Sequence, residues 1–196
     1  MNIERPKSKQ PIPKDAKRVF KGVVFDVYQW EQEMFDGTKA TFEIAKRPDT
    51  VVVFAVLPNG KIILTEQEQP GKEPFVGATG GRVDEGEDIL TAAKRELLEE
   101  SGYEAEEFIL WDAQHPVGKI DWVVYTFIAK GLRKVADMHP DAGEKIKLIT
   151  VSLEELIDLT VDKHKNFSEQ EIVMKLFEAK FDSKKMQELK GLFKPL

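Results

Sequence analysis

The segment that most constrains the fold lies at residues 81–103, where a glycine-containing turn leads into an amphipathic helix. The spacing predicts a helix from Asp88 to about Ser101, and Gly102 has the position of a C′ residue just past its end. The apolar residues of this helix fall on one stripe: Leu90, Ala93 and Leu97. Such a stripe anchors a helix on a sheet, which leaves the opposite side free for polar groups.

Three carboxylates project from that polar side. At about 100° per residue, Glu100 lies about 40° round the helix from Glu96, and Glu99 about 60° the other way. Anions this close repel one another unless a cation sits between them. Hard oxygen ligands without His or Cys favour Mg²⁺ or Mn²⁺. Although Glu-Glu pairs alone are typical of solvated helix faces, the surrounding residues favour a metal site.

Neighbouring residues support this interpretation. Arg95 lies four residues before Glu99 and can orient its carboxylate. Glu87 precedes the helix, where a carboxylate favours the positive dipole end and could also reach Arg95. Gly80 and Gly81 permit a tight turn that could direct a backbone carbonyl at the metal. The segment therefore contains both the carboxylates and the turn that a metal site needs.

The whole segment resembles the Nudix box: Gly, five residues, Glu, seven residues, then Arg-Glu-apolar-x-Glu-Glu-x-Gly-apolar. Seven literal positions agree: Gly81, Glu87, Arg95, Glu96, Glu99, Glu100 and Gly102. At background frequencies of roughly one in fifteen, chance agreement at a given register is on the order of 10⁻⁸. Tyr103 departs from the aliphatic residue usual at the final position. The resemblance implies a metal-dependent hydrolase. The metal ligands that it implies are Glu96, Glu99, Glu100 and a backbone oxygen near Gly80.

The remaining pattern predicts an α+β fold, which the resemblance specifies as a Nudix α/β/α sandwich with a mixed sheet and a small N-terminal antiparallel sheet. We expect an extended arm at 1–16, a β-sheet subdomain at 17–48 and the hydrolase domain at 49–196. The predicted strands are Val19–Tyr28, Ala40–Ala45, Val51–Leu57, Lys61–Leu64, Trp122–Ala129 and Lys145–Val151. A loop is predicted over 70–81, and further helices over Ser152–Leu159, Ser168–Ala179 and Lys184–Leu192.

Composition narrows the functional classes. The 196-residue chain is 41% hydrophobic and 33% charged, with no apolar run long enough for a membrane helix. The N-terminus lacks the apolar core of a signal peptide, so we expect a cytoplasmic protein without a membrane partner. The absence of cysteine excludes thiol catalysis and cysteine-bound metals. The net charge of −6 argues against nucleic-acid binding, whereas a bound cation could still attract a phosphorylated small molecule.

Residues 17–180 resemble the ADP-ribose pyrophosphatase branch of the family. The resemblance implies a homodimer and Mg²⁺-dependent hydrolysis of ADP-ribose to AMP and ribose 5-phosphate. It places Glu99 and Arg95 in the catalytic machinery, with Glu144 as the general base and Asp141 as the alternative. The residues expected to bind the nucleoside diphosphate-linked substrate are Trp30, Phe42, Arg47 and Pro116.

Two departures keep other functions open. The branch commonly has Arg where this chain has Gln69, and Glu where it has Gly77. Both positions concern the substrate pocket and not the metal helix. GDP-mannose, ADP-glucose, NADH and diadenosine polyphosphates therefore remain alternative substrates. A non-catalytic module that senses a nucleotide is the alternative to an enzyme.

Overall fold

The computed structural model describes residues 3–162 and 164–196. Met1 and Asn2 of the predicted arm, and Lys163 of the predicted hydrolase domain, lie outside the described residues. The first seven strands are β1 (Lys17–Lys21), β2 (Asp26–Glu33), β3 (Lys39–Lys46), β4 (Thr50–Val56), β5 (Ile62–Gln69), β6 (Lys72–Gly77) and β7 (Thr79–Arg82). The others are β8 (Tyr103–Glu104), β9 (Glu107–Gln114), β10 (Ile120–Asp121), β11 (Val124–Lys130), β12 (Arg133–Lys134) and β13 (Lys145–Val151). The helices are α1 (Ile89–Ser101), α2 (Leu153–Leu159), α3 (Gln170–Ala179) and α4 (Ser183–Leu192).

A four-stranded sheet forms near the N-terminus in the order β1-β2-β3-β10. The predicted hairpin joins β2 to β3, and Gly37 in its turn has φ 83°, a conformation that favours glycine. The short strand β10 pairs in parallel with β3. This small sheet therefore combines the predicted antiparallel strands with a strand from the middle of the chain.

The larger sheet has the strand order β13-β5-β4-β11-β9, with β6 paired to β5 and β7 paired to β4. Strand β11 runs parallel to β4 and antiparallel to β9. The predicted mixed sheet is thus confirmed.

Alternate residues of β4 point to two separate cores. Val52, Phe54 and Val56 belong to the cluster that α2, α3 and α4 cover. The intervening Val51, Val53 and Ala55 pack with Ala92, Ala93 and Leu97 of α1. Helices therefore cover both faces of the sheet, and the predicted α/β/α sandwich is confirmed.

The predicted loop over 70–81 is wrong, because this stretch forms β6 and β7. The glycines of this stretch suggest a loop, but they permit close packing in a strand. A side chain at Gly80 would overlap Val51, and one at Gly81 would overlap Glu96. The backbone of both residues pairs with β4. Strand β9 was missed altogether. The predicted strand Val19–Tyr28 is divided by the turn at Gly22, whose amide donates to the carbonyl of Phe25 at 2.9 Å.

Residues 3–16 contain no helix or strand and lie against the body of the protein. Arg5 donates to Asp49 at 2.8 Å and to Asp121 at 2.8 Å. Further along, the backbone amide of Lys119 donates to the side chain of Gln10 at 3.2 Å. Ion pairs and hydrogen bonds therefore hold the N-terminal segment at both points.

Within the described part of the chain, no helix is both long and apolar enough to cross a membrane.

Candidate active site

Helix α1 is fixed at both ends. The Asp88 carboxylate accepts the backbone amides of Leu90 and Thr91, at 3.0 and 3.2 Å. Gly102 ends the helix in the left-handed region at φ 70°, and its amide donates to Leu98. With the apolar stripe buried on the sheet, the acidic side of the helix is held beside β7.

Glu100 is the most deeply placed carboxylate of that side, with only 3% of its surface exposed. Its Oε2 accepts the backbone amide of Gly80 at 2.8 Å, and its Oε1 accepts the side-chain amide of Gln67 at 3.4 Å. Burial nevertheless raises the pKa of Glu100 to about 8, and the charges of Glu96 and Glu144 act in the same direction. This carboxylate therefore lacks a compensating positive charge.

Glu96 packs on the backbone of Gly81. A Cβ at Gly81 would lie 2.6 Å from Oε2 of Glu96, so a side chain there would displace the carboxylate. Burial raises the pKa of Glu96 to about 6, even though hydrogen bonding and the charge of Arg95 oppose the shift. Glycine at position 81 is thus a requirement of the acidic site as well as of the turn.

Arg95 joins the acidic residues into one network. Its Nη1 donates to Glu96 at 2.7 Å and to Glu99 at 3.1 Å. Its Nε donates to Glu87 at 3.0 Å, and its Nη2 donates to the carbonyl of Arg82 at 2.9 Å. These bonds, that to Glu87 above all, raise the pKa of Arg95 well above its ordinary value. The side chain is therefore a fixed cation that orients Glu96 and Glu99.

The carboxylates open into a cleft of about 440 Å³. Its lining residues are Gln69, Gly80, Gly81, Arg82, Asp84, Arg95, Glu96, Glu99, Glu100, Pro140, Asp141 and Glu144. The structure thus brings every predicted metal-site and catalytic residue to one cleft, together with both candidates for the general base. This lining is dominated by polar and charged groups, as expected for a site that binds cations and phosphates.

Two glutamines connect the walls of the cleft. The side-chain amide of Gln69 donates to Glu144 at 3.1 Å and approaches the side-chain oxygen of Gln67 at 3.5 Å. Gln67 in turn donates to Glu100. Sequence reasoning missed Gln67 and treated Gln69 only as a departure from the family. Their two-residue spacing on a strand was a usable signal, because such side chains share one face.

The residues of the cleft fit a divalent cation. Within residues 3–162 and 164–196, no three His, Cys, Asp or Glu side chains converge as a ready metal-binding group. The carboxylates are instead bound to other donors. Arg95 donates to Glu96 and Glu99, and the Gly80 amide donates to Glu100. The donor set consists of carboxylate oxygens, and the raised pKa values of Glu96 and Glu100 show that a nearby cation would stabilise their charged forms.

The predicted substrate-binding residues lie apart from this cleft. Trp30 and Phe42 pack together with ring centroids 6.1 Å apart, and Nζ of Lys119 lies 4.5 Å from the Phe42 ring centroid. They line a pocket of about 300 Å³ with Gln10, Pro11 and Pro13 of the N-terminal segment. None of these residues lines the acidic cleft of the same chain.

Arg47 and Pro116 also lie outside the lining of the cleft. The guanidinium of Arg47 lies 4.5 Å from the Trp122 ring centroid. Its buried Nε has no hydrogen-bond partner in the part of the chain that the structure describes. Burial lowers the pKa of Arg47, and the charge of Arg82, a cleft residue, lowers it further. Pro116 faces the N-terminal segment, where the carbonyl of Pro6 lies 3.2 Å from Nε2 of His115.

Comparison with known proteins decides the family. The family model described as the NUDIX domain matches residues 46–174, well over half of the chain. The chain belongs to the Nudix family. The prediction made from the box is therefore confirmed, and the protein is a Nudix pyrophosphohydrolase.

Two curated relatives cover most of this Nudix chain. The ADP-ribose pyrophosphatase of Bacillus subtilis (strain 168) is 32% identical over 146 residues, which are 73% of this chain and 79% of the relative. The methanol dehydrogenase activator of Bacillus methanolicus is 32% identical over 152 residues, which are 76% of this chain and 82% of the relative.

A solved structure shows the same fold. The crystal structure of an ADP compounds hydrolase superposes with a TM-score of 0.70 and 21% identity. The match covers 91% of this chain and 98% of the other. The two proteins therefore share their fold over most of the length of both chains.

Proposed function

We propose that this Nudix hydrolase cleaves ADP-ribose to AMP and ribose 5-phosphate with the help of Mg²⁺. The observation that carries the proposal is the cleft in which half-buried Glu96 and buried Glu100 face Glu144. Arg95 is fixed beside them by its bonds to Glu96 and Glu99. The activity named for the Bacillus subtilis relative supports the choice of substrate.

The metal would be held by Glu96, Glu99, Glu100 and a backbone oxygen near Gly80. When bound there, Mg²⁺ or Mn²⁺ supplies positive charge that polarises the phosphoryl oxygens and lowers the pKa of a bound water. Arg95 keeps Glu96 and Glu99 directed into the cleft, since it donates to both carboxylates.

Glu144 is proposed as the general base, with Asp141 of the same loop as the alternative. Both line the cleft, and the bond from Gln69 fixes the Glu144 carboxylate at the wall opposite α1. A water that attacks one phosphorus gives its proton to this carboxylate. The bond from that phosphorus to the bridging oxygen breaks, and the bridging oxygen leaves with the second phosphate.

The N-terminal sheet is proposed to form the dimer interface and to recognise the base. Its exposed apolar residues are Val19, Phe20, Val23, Val24, Phe25, Met34 and Phe35. An exposed apolar surface of this kind is typical of a protein interface. Because Trp30 and Phe42 lie outside the cleft of their own chain, we propose that they serve the cleft of the partner subunit, while Arg47 and Pro116 contact substrate from their own side.

A substrate panel tests the reaction. The full chain is assayed with ADP-ribose, ADP-glucose, GDP-mannose, NADH and a diadenosine polyphosphate, each with MgCl₂, MnCl₂ or EDTA, and the products are identified by chromatography. We expect ADP-ribose to have a kcat/KM at least about tenfold above the others, a difference of about 1.4 kcal/mol in transition-state binding. EDTA should abolish turnover.

Matched variants connect the activity to the cleft. Glu100→Gln removes a proposed metal ligand, whereas Glu85→Gln changes an exposed acid of the same box that does not line the cleft. Only the first should lose turnover. Preference for another substrate would replace the assignment of ADP-ribose, and tight binding without turnover of any compound would favour a nucleotide-sensing module.

Sedimentation analysis tests the proposed dimer. The wild-type chain should sediment as a dimer, and Phe20→Asp together with Val23→Asp should shift it toward the monomer. A monomeric wild-type protein would refute the assignment of the interface. The cytoplasmic location stays a prediction.

A further inference from the structure

A second buried carboxylate lies behind the Nudix cleft. Glu169 directly precedes α3 and has 6% of its surface exposed. Residues at this position commonly cap the helix, but the Glu169 side chain makes no capping hydrogen bond to α3. Its Oε2 is buried and has no hydrogen-bond partner among the described residues. Burying a carboxylate oxygen without a hydrogen bond costs free energy, which indicates that other contacts hold the side chain in place.

Those contacts are with the strand that leads into the acidic site. A Cβ at Gly77 would lie 2.6 Å from Oε1 of Glu169 and 3.1 Å from its Oε2. The carboxylate thus occupies the space that a side chain at position 77 would need. Burial raises the pKa of Glu169 to about 8 and the charge of Glu171 acts in the same direction, whereas the backbone amide of Ala78 favours the charged form.

The segment before Glu169 is attached to the same strand. The amide of Ser168 donates to the carbonyl of Val76 at 2.9 Å, and the amide of Val76 donates to the carbonyl of Asn166 at 3.3 Å. Phe167 and Val76 form an isolated parallel bridge. The start of α3 is therefore joined to β6 by its backbone as well as by the Glu169 side chain.

The same stretch of chain holds Glu100. The amide of Gly80, two residues after Ala78, donates to Oε2 of Glu100 at 2.8 Å. In extended backbone, amides two residues apart point to the same side. The Gly77–Gly80 segment thus contacts two buried carboxylates, Glu169 at its beginning and Glu100 at its end.

We propose that Glu169 is a positioning residue of the Nudix site, which holds the Gly77–Gly80 segment so that the Gly80 amide binds Glu100. The proposal rests on the proposed function in one respect, which is that Glu100 is needed for turnover. It also explains the glycine at position 77, since any side chain there would displace the Glu169 carboxylate.

The first test measures the Gly80 amide in the metal-free protein. Hydrogen exchange is followed by NMR in wild type, Glu169→Ala and Glu169→Gln, with Glu171→Ala as the matched control. Glu171 is a neighbouring, half-buried acid whose pKa is also raised by burial. Glu169→Ala should accelerate exchange at Gly80 at least about tenfold, since the side-chain oxygens that hold the Gly77–Gly80 segment are lost. Glu169→Gln keeps an oxygen acceptor and should stay within about threefold.

The second test measures turnover and the steric contact between position 77 and Glu169. Glu169→Ala should lower kcat at least about tenfold with KM within about twofold, and Glu169→Gln should restore most of the rate. Gly77→Ala should cause the same loss in wild type but a smaller further loss in Glu169→Ala, because the added methyl group then meets Cβ of Ser168, at 3.0 Å, but no carboxylate.

Each outcome decides the proposal. Unchanged exchange at Gly80 in folded Glu169→Ala would overturn it, as would equal acceleration in Glu171→Ala or additive losses in the double variant. If thermal melts show that Glu169→Ala does not fold, Gly77→Ala and Glu169→Gln decide through the same exchange measurement. Because exchange at Gly80 requires neither substrate nor metal, an error in the proposed substrate would leave this test intact.

Discussion

Replacing Glu100 by Gln should make the metal-free protein more stable while it abolishes turnover. The Glu100 pKa rises on folding from 4.5 to about 8, so the folded state binds the proton more tightly than the unfolded chain. The stability of the protein therefore falls as pH rises from 4.5 toward 8. Near pH 7 this cost is about 3 kcal/mol, at about 1.4 kcal/mol for each pH unit.

The neutral amide of Glu100→Gln removes that cost but weakens the hydrogen bonding. Its oxygen can still accept the Gly80 amide, whereas its NH₂ group faces the donor on Gln67. A lost hydrogen bond costs about 1 kcal/mol, which leaves a net gain of about 2 kcal/mol near pH 7. Below pH 4.5, where the wild-type carboxyl is protonated in both states, only the lost hydrogen bond remains, so the variant should be less stable than wild type by about 1 kcal/mol.

Urea unfolding in EDTA at pH 5 and pH 8 measures this difference, because the chelator removes stabilisation by bound metal. Turnover with Mg²⁺ should fall at least about a hundredfold, which corresponds to about 2.7 kcal/mol in the activation barrier. Glu85→Gln should change neither quantity. A Glu100→Gln protein with the pH dependence of wild type would refute the account of the buried charge, and one with wild-type turnover would place the metal elsewhere.

Three further predictions concern other parts of the site. Glu144→Gln should lower kcat at least about a hundredfold without weakening Mn²⁺ binding, and a wild-type rate would transfer the general-base role to Asp141, tested by Asp141→Asn. Arg95→Lys should lower kcat at least about tenfold, since an ammonium group cannot reproduce the planar set of donors that reaches Glu87, Glu96 and Glu99. A kcat equal to that of wild type would contradict this role. Gly102→Ala should cost about 1–2 kcal/mol in urea unfolding because φ is 70° there and a Cβ would overlap the backbone of Ala136, so unchanged stability would refute the predicted strain.

The pocket of the N-terminal sheet was predicted only as a set of aromatic residues. The sequence placed Trp30 and Phe42 among the substrate-binding residues, but it contained no information on which residues would pack against them. The structure shows that residues of the N-terminal segment cover Trp30 and Phe42. That contact joins residues distant in sequence, so no local pattern could predict it.

The helix of the Nudix box was predictable because its determinants are local. Asp88 and Gly102 define its ends, and a period of 3.6 residues separates the apolar stripe from the carboxylates. The pairing of β6 and β7 was not predictable in this way, since glycines that indicate a loop also permit close packing on Val51 and Glu96.

The sequence by itself therefore determined the acidic helix, its orientation on a sheet and the class of chemistry. Only the tertiary structure decided what faces that helix. Glu100 meets Gln67 across 33 residues of chain, and Gln69 meets Glu144 across 75. Glu169 likewise reaches Gly77 from a different element. Helical periodicity relates residues three or four positions apart, whereas these contacts depend on strand pairing and on the packing of both helix layers.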